Sequence, residues 1–195
     1  MTAKVVVLDP GHGGPGNHGT SDPAQAFYEA EWVLDFTEQF LSDAIEQEAV
    51  EQKKSLVVVQ TRHTDKTLSL TERGEISGRL GASLAVSIHT NANDSALARG
   101  AMIFVNRSEL VDPAQRIVAN MPKALQRRRG VFDMSKIENR IAWPRVWNVL
   151  KAHPCPAMLL ECGFRTNPED FKLLQDNTIK ARIAVAVADE VVSIL

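Results

Sequence analysis

Two histidines in this sequence follow apolar, strand-like runs: His12 comes after Val5-Val6-Val7-Leu8, and His89 after Leu84-Ala85-Val86-Ser87-Ile88. Taken singly, each has an ordinary explanation, His12 as a loop residue bonded to backbone and His89 as a satisfied core residue. Two strand-end imidazoles suggest a shared site, and the chemistry they can share is divalent metal binding. A catalytic zinc centre takes three protein ligands and keeps a fourth position for water, with two His and one Glu among the recurrent sets. A carboxylate is therefore needed.

The segment after the first strand offers Glu29, Glu31, Asp35 and Glu38. Helical spacing separates them. Glu29 falls on the stripe Glu29, Val33, Phe36, Phe40, Ala44 that must bury, whereas Glu31, Asp35, Glu38 and Ser42 form a polar face. An unpaired carboxylate on a buried face is costly, so Glu29 needs compensation. A metal ion supplies it, and so does a helix N-terminus, whose dipole favours an acid; spacing alone leaves both open. Glu161, after Ala157-Met158-Leu159-Leu160, raises the same question. It suits a general base that takes a proton from an activated water, or a structural ion pair with Arg73 or Arg165. His18, His63 and His153 show no comparable placement and are expected on the surface or in loops.

Residues 11–16, Gly-His-Gly-Gly-Pro-Gly, formally satisfy G-x-G-x-x-G after a strand. A dinucleotide fingerprint needs a helix N-terminus directly under the pyrophosphate. Here Asp9-Pro10 precedes the glycines, Pro15 interrupts them, and no helix is expected before residue 23. The nucleotide reading is rejected.

The elements that must position these side chains alternate. Strands are expected at 4–9, 55–61, 84–88, 100–106 and 157–161, with that at 55–61 buried. Helices are expected from residue 23 or 29 to 48, at 70–80, at 113–128 with Gly130 closing it, and at 178–195. Residues 131–156, with three prolines and two tryptophans, fit no single element. Continuous apolar strands between helices predict an α/β fold: a single domain, 1–195, with a twisted, mostly parallel sheet and helices on both faces. Sites in such sheets form at the carboxyl ends of strands, where His12, His89 and Glu161 fall.

A net charge of −2 and a pI near 6.2 exclude a bulk electrostatic pull toward nucleic acid or an anionic membrane. The cluster Arg127-Arg128-Arg129 reads as a solvated helix end. Cys155 and Cys162 are too few for a disulfide framework and read as small core residues. The four apolar residues between Lys4 and Asp9 are too short for a signal peptide, and no run approaches the ~20 residues of a membrane span. Synthesis in the cytoplasm without a signal peptide is expected, with no membrane insertion.

Four ordered segments carry a resemblance. They are LDPGHGG (8–14), YEAEWVL (28–34), SIHTNAN (87–93), and LECGF (160–164) with NPED (167–170) after it. Together they resemble the zinc-dependent N-acetylmuramoyl-L-alanine amidases of bacterial cell-wall hydrolysis, the amidase type 3 catalytic domain. The resemblance runs from residue 5 to the C-terminus. It implies Zn2+ held by His12, Glu29 and His89, Glu161 as the catalytic glutamate, and peptidoglycan as substrate. Ser77-Gly78 and Ser83 depart from the family's Ala-Asn and Asp, as structural substitutions that leave the zinc set intact. Residues 131–156 match poorly.

With no export signal and no appended wall-binding domain expected, the setting suggested is a phage endolysin acting at the cell wall and released through a holin-type partner. A bacterial lysis or remodelling enzyme is the rival. Two other classes stay open: another zinc peptidase or deacylase on the same scaffold, and a non-catalytic wall-binding module that keeps zinc for structure.

Overall fold

The computed structural model describes residues 2–22, 27–126 and 130–195. Its centre is a six-stranded sheet built from β1 (Lys4–Pro10), β4 (Leu56–Gln60), β5 (Leu84–Asn91), β6 (Met102–Val105), β7 (Val131–Asp133) and β8 (Ala157–Phe164). Their spatial order is β4-β1-β5-β8-β6-β7. The four strands β4, β1, β5 and β8 run parallel, β6 pairs antiparallel to β8, and β7 runs parallel to β6. A small hairpin, β2 (Ser21–Asp22) with β3 (Phe27–Tyr28), stands apart. The expected α/β architecture with a mostly parallel sheet is the one observed.

Both faces of the sheet are buried, which is why its central strands are apolar throughout. Val6, Leu8, Val86, Ile88, Met158 and Leu160 pack on one side against α1 (Glu29–Phe36), α2 (Ser42–Glu51), α4 (Val111–Asn120) and α8 (Asn177–Ser193). Val7, Ala85, Phe104, Ala157 and Leu159 pack on the other side with Leu150 of α6 (Pro144–Ala152). β4 is an edge strand and only half-buried, with Val57 47% exposed, so the expectation of a buried second strand is corrected.

Several boundaries differ from expectation for physical reasons. The helix begins at Glu29, and a π-helical segment, Thr37–Leu41, separates α1 from α2. That segment adds one residue, so the buried stripe passes from Phe36 to Leu41 and Ile45, while Phe40 and Ala44 are only partly covered. α4 ends at Asn120, because Met121 is extended ahead of Pro122. The Arg127-Arg128-Arg129 cluster lies outside the described residues. Residues 131–156 form β7, α5 (Ile137–Ala142) and α6; Trp143 closes over Phe104 and Phe132. An unforeseen helix, α7 (Pro168–Leu174), starts where the Asn167 side chain accepts from the Glu169 and Asp170 amides and Pro168 takes the first turn. α3 (Leu70–Arg79) opens with a capping box between Ser69 and Glu72. Cys155 and Cys162 are buried and unpaired. Among the described residues, no helix is long and apolar enough to cross a membrane.

Candidate metal centre

The carboxyl ends of β1, β5 and β8 lie side by side, and the last residues of β5 and β8 and the loop after β1 contribute to one cluster. Beyond β1, the Gly11 amide still donates to the Ile88 carbonyl at 3.0 Å. His12 then turns out of the sheet with φ 59°, a left-handed conformation uncommon for a side-chain-bearing residue. Its Nδ1 is 3.1 Å from Asn17 Oδ1, which fixes the ring and presents Nε2 to the interior. His89 lies within β5, which runs on to Asn91 rather than stopping at Ile88. The two rings meet edge to face with centroids 5.0 Å apart.

Glu29 is the first residue of α1 and is almost fully buried. Its Oε2 accepts from the Thr20 amide at 2.7 Å and the Thr20 hydroxyl at 2.9 Å. Oε1 accepts from the Thr90 amide at 2.9 Å and stands 3.3 Å from His12 Nε2 and 3.1 Å from His89 Nδ1. Burial alone would raise the Glu29 carboxyl, but contacts with His12 and His89 hold it well below the usual carboxylate range. Burial pulls the His12 imidazole down, and Glu29 more than reverses this, raising it above 6.5. Of the two explanations open for Glu29, the carboxylate meets both imidazoles, and it does so from the helix N-terminus.

One ligand atom from each of His12, Glu29 and His89 lies within 4.8 Å of the others. Four-coordinate zinc with bonds of about 2.0–2.1 Å spaces its ligand atoms roughly 3.3 Å apart, close to the 3.3 and 3.1 Å from Glu29 Oε1 to the His12 and His89 nitrogens. The donor set of two imidazoles and a carboxylate is borderline in softness and suits zinc. These residues fit a divalent metal.

Glu161 sits inside β8, three residues before its end at Phe164, and is the register partner of His89 on the neighbouring parallel strand. Strand neighbours stand about 4.8 Å apart with side chains on the same face, which brings the carboxyl to the rim of the cluster. Its Oε2 is shut from solvent and has no hydrogen-bond partner among the described residues. Burial first, and the Glu29 charge second, push its carboxyl well above the usual range. No ion pair with Arg73 or Arg165 forms among the described residues. Arg73 instead holds Asp9 Oδ1 at 2.6 Å and the Pro10 and His12 carbonyls at 2.8 and 2.6 Å.

Asp9 lies beneath the site and also accepts from Thr61 at 2.6 Å and Ser87 at 3.0 Å. Burial would raise it, but His153 and Arg73 beside it, with Thr61, keep it well below the usual carboxylate range. His153 lies in the loop after α6, one of its two expected placements, but it is buried there and not on the surface. Its Nδ1 is 3.0 Å from Ser77 Oγ and its Nε2 3.7 Å from Asp9 Oδ2, too far for a hydrogen bond. Ser77 is structural, as expected. His63 is exposed near Glu38, and His18 packs on Tyr28; neither joins the cluster. A cavity of about 360 Å3 opens beside His12 and His89, bounded by Thr67, Leu70 and Val149. A larger one, about 810 Å3, lies between α4 and β7 and touches none of these groups. Asn17, Thr20 and Thr90 were not singled out in the sequence; Asn17 meets His12, and Thr20 and Thr90 meet Glu29, only once the chain folds.

The chain matches the family described as N-acetylmuramoyl-L-alanine amidase over residues 6–193. It is 28% identical over 189 residues to the probable cell wall amidase LytH of Staphylococcus aureus, and 26% identical over 189 residues to that of Staphylococcus epidermidis. Each match takes in 97% of this chain and 57% of the relative, so the chain spans little more than half the length of these curated relatives. Among solved structures it is similar to the catalytic domain of CwlV, an N-acetylmuramoyl-L-alanine amidase from Bacillus (Paenibacillus) polymyxa, at 27% identity and a TM-score of 0.76, covering 98% of this chain and 97% of that one. It is also similar to the N-acetylmuramoyl-L-alanine amidase of Clostridium difficile 630, at 25% identity and a TM-score of 0.79, covering 99% and 97%.

Proposed function

This chain belongs to the N-acetylmuramoyl-L-alanine amidase family, and on that premise we propose that it is a zinc amidase cutting the amide between the muramic-acid lactyl group and L-alanine of peptidoglycan. The observation that carries this reading is the convergence of His12 and His89, from adjacent strands, with Glu29 at the start of α1. These three residues would hold the metal, and residues 1–195 would act as one catalytic domain. Zinc, when bound, supplies Lewis acidity toward a carbonyl oxygen and makes a water ionisable near neutral pH.

The chain's own groups do the rest. Asn17 keeps the His12 ring turned inward, and Thr20 and Thr90 saturate the Glu29 carboxylate so that it stays ionised and fixed. Glu161 takes a proton from the attacking water. As the carbon–nitrogen bond breaks, it passes that proton to the departing alanine nitrogen. The raised affinity of this carboxyl for a proton suits a group that must hold one between the two steps. The cavity beside His12 and His89 takes the substrate next to the reacting atoms.

Metal content and digestion of purified peptidoglycan test this, for wild type beside Glu161→Ala. About one zinc per chain in both proteins is expected, with new L-alanine amino termini only from wild type. Cleavage at another bond would move the enzyme to the peptidases. Full activity of the variant would remove Glu161 from the mechanism, and zinc binding without any cleavage would favour a wall-binding module. The cell wall is the site of action in this reading. For the setting, a phage endolysin freed by a holin-type partner predicts lysis from within only when a holin is co-expressed. A bacterial remodelling enzyme, the setting the relatives' names favour, predicts no such dependence.

A further inference from the structure

Among the described residues Arg62 is the largest fully buried side chain, 1% exposed, and it forms no ion pair there. A buried guanidinium without a carboxylate partner is expensive, and an apolar residue of similar volume would fill the space more cheaply. Its charge is met by backbone carbonyls. Nε donates to Pro10 O at 3.0 Å, and Nη1 to Thr64 O at 3.2 Å. Nη2 donates to both Gly11 O at 2.8 Å and Ala30 O at 2.7 Å.

The last pair is what matters. Gly11 immediately precedes His12, and Ala30 immediately follows Glu29. One nitrogen thus ties together the two chain segments that carry these side chains. The sum of its two bonds, about 5.5 Å, is the farthest the two carbonyl oxygens can stand apart. The loop also closes tightly over the side chain, since a Cβ added at Gly13 would stand 3.0 Å from Arg62 Nε. His12 is held at φ 59°, and a conformation of that kind persists only where its surroundings over-determine it.

We propose that Arg62 is a positioning residue for the metal centre, setting the separation of His12 and Glu29 by bridging Gly11 O and Ala30 O from a single guanidinium nitrogen. A lysine at this position keeps the charge but offers one compact donor head, which cannot span four carbonyls in a plane. This inference rests on His12, Glu29 and His89 being metal ligands.

The test is zinc affinity of the full chain, by competition with a chromophoric chelator, together with the visible spectrum of the cobalt(II)-loaded protein. Arg62→Lys is compared with wild type and with Phe104→Leu, a core substitution in β6, two strands away from the β5 strand that carries His89, where Phe104 packs against Phe132 and Trp143. Arg62→Lys is expected to weaken zinc about 10–100-fold, as loss of an outer partner does, and to shift the cobalt bands. Phe104→Leu is expected to change neither. Equal zinc affinity in Arg62→Lys and wild type, or equal losses in both variants, would overturn the proposal. If Arg62→Lys does not fold, Arg62→Gln replaces it; loss of fold in both would also overturn it, because Arg62 would then serve the core and not the site. Failure of wild type itself to bind zinc would instead strike the metal reading on which this rests.

Discussion

Gly11 packs directly against the His89 ring beside His12 in the proposed metal centre. A methyl group added there would stand 2.2 Å from His89 Cε1 and 2.6 Å from both ring nitrogens. Carbon atoms pack at about 3.5 Å or more, so the ring must retreat by more than 1 Å or the loop must lift. The loop is poorly placed to lift, because the Gly11 amide is bonded to Ile88 O and its carbonyl to Arg62. Metal–ligand distances hold within about 0.2 Å, so a displacement of that size removes His89 from the set. Gly11→Ala is therefore expected to lower zinc affinity by about 100-fold or more, with an overpacking cost of about 1–3 kcal/mol to the fold. Gly74→Ala is the control. Its methyl would stand 2.1 Å from the Ala152 carbonyl where α3 meets α6, so it should destabilise at least as much while leaving zinc binding unchanged. Chelator competition gives the affinity, and urea unfolding of the metal-free proteins gives the stability. Gly11→Ala binding zinc as tightly as wild type would refute the geometry, and so would a loss of zinc affinity in Gly74→Ala to match.

Glu161 has its folded pKa raised by burial and by Glu29, so in the metal-free protein its stability contribution is fully present below 4.5 and is lost as pH rises. Metal-free Glu161→Gln should thus be more stable than wild type at pH 7 by about 1–3 kcal/mol and equal to it near pH 4. Urea titrations at the two pH values decide, and no difference at pH 7 would count against the raised proton affinity of the carboxyl, whose Oε2 is buried without a hydrogen-bond partner among the described residues. Asp9 shows the opposite sign. Its folded pKa is lowered, so its contribution is present above 3.8 and is lost as pH falls. Asp9→Asn leaves Arg73 buried without its counter-charge and should cost about 3–5 kcal/mol at pH 7, with a weaker acid dependence of unfolding than wild type. Removing metal with a chelator should lower the melting temperature, and free zinc at 100 times its Kd should restore about 2.7 kcal/mol. Magnesium prefers an all-oxygen shell and should restore nothing; equal rescue by magnesium would contradict the nitrogen ligands.

How far the site was legible depends on which information each residue needed. His12, His89 and Glu161 could be placed because a parallel sheet puts its chemistry at strand ends, and apolar runs mark those ends in the sequence. Glu29 could be chosen over Glu31 because helical periodicity holds for the first two turns, Glu29, Val33 and Phe36, which are buried as expected. The same periodicity failed one turn later. The π segment at Thr37–Leu41 carries the buried face to Leu41 and Ile45, and nothing local in Thr-Glu-Gln-Phe-Leu announces the extra residue. It is stabilised by what the helix packs on. α7 is a different kind of miss, since Asn167-Pro168 is a helix start signal readable in the chain. His153 was not readable at all. It closes a buried network with Asp9 and Ser77, residues 144 and 76 positions away, that exists only once α6 lies against α3. The reversed direction of β6 belongs with it, because strand order and sense are set by pairing across the sheet and leave no trace in a run such as Met102-Ile103-Phe104-Val105. Residue type and periodicity thus sufficed to single out His12, Glu29, His89 and Glu161 as candidates, and the family resemblance supplied the roles proposed for them. Arg62 at the Gly11 and Ala30 carbonyls and His153 beside Ser77 and Asp9 are defined by contacts between segments distant in sequence, whereas Asn17 and Thr20 meet His12 and Glu29 across short loops; in both cases only the folded chain reveals the partner.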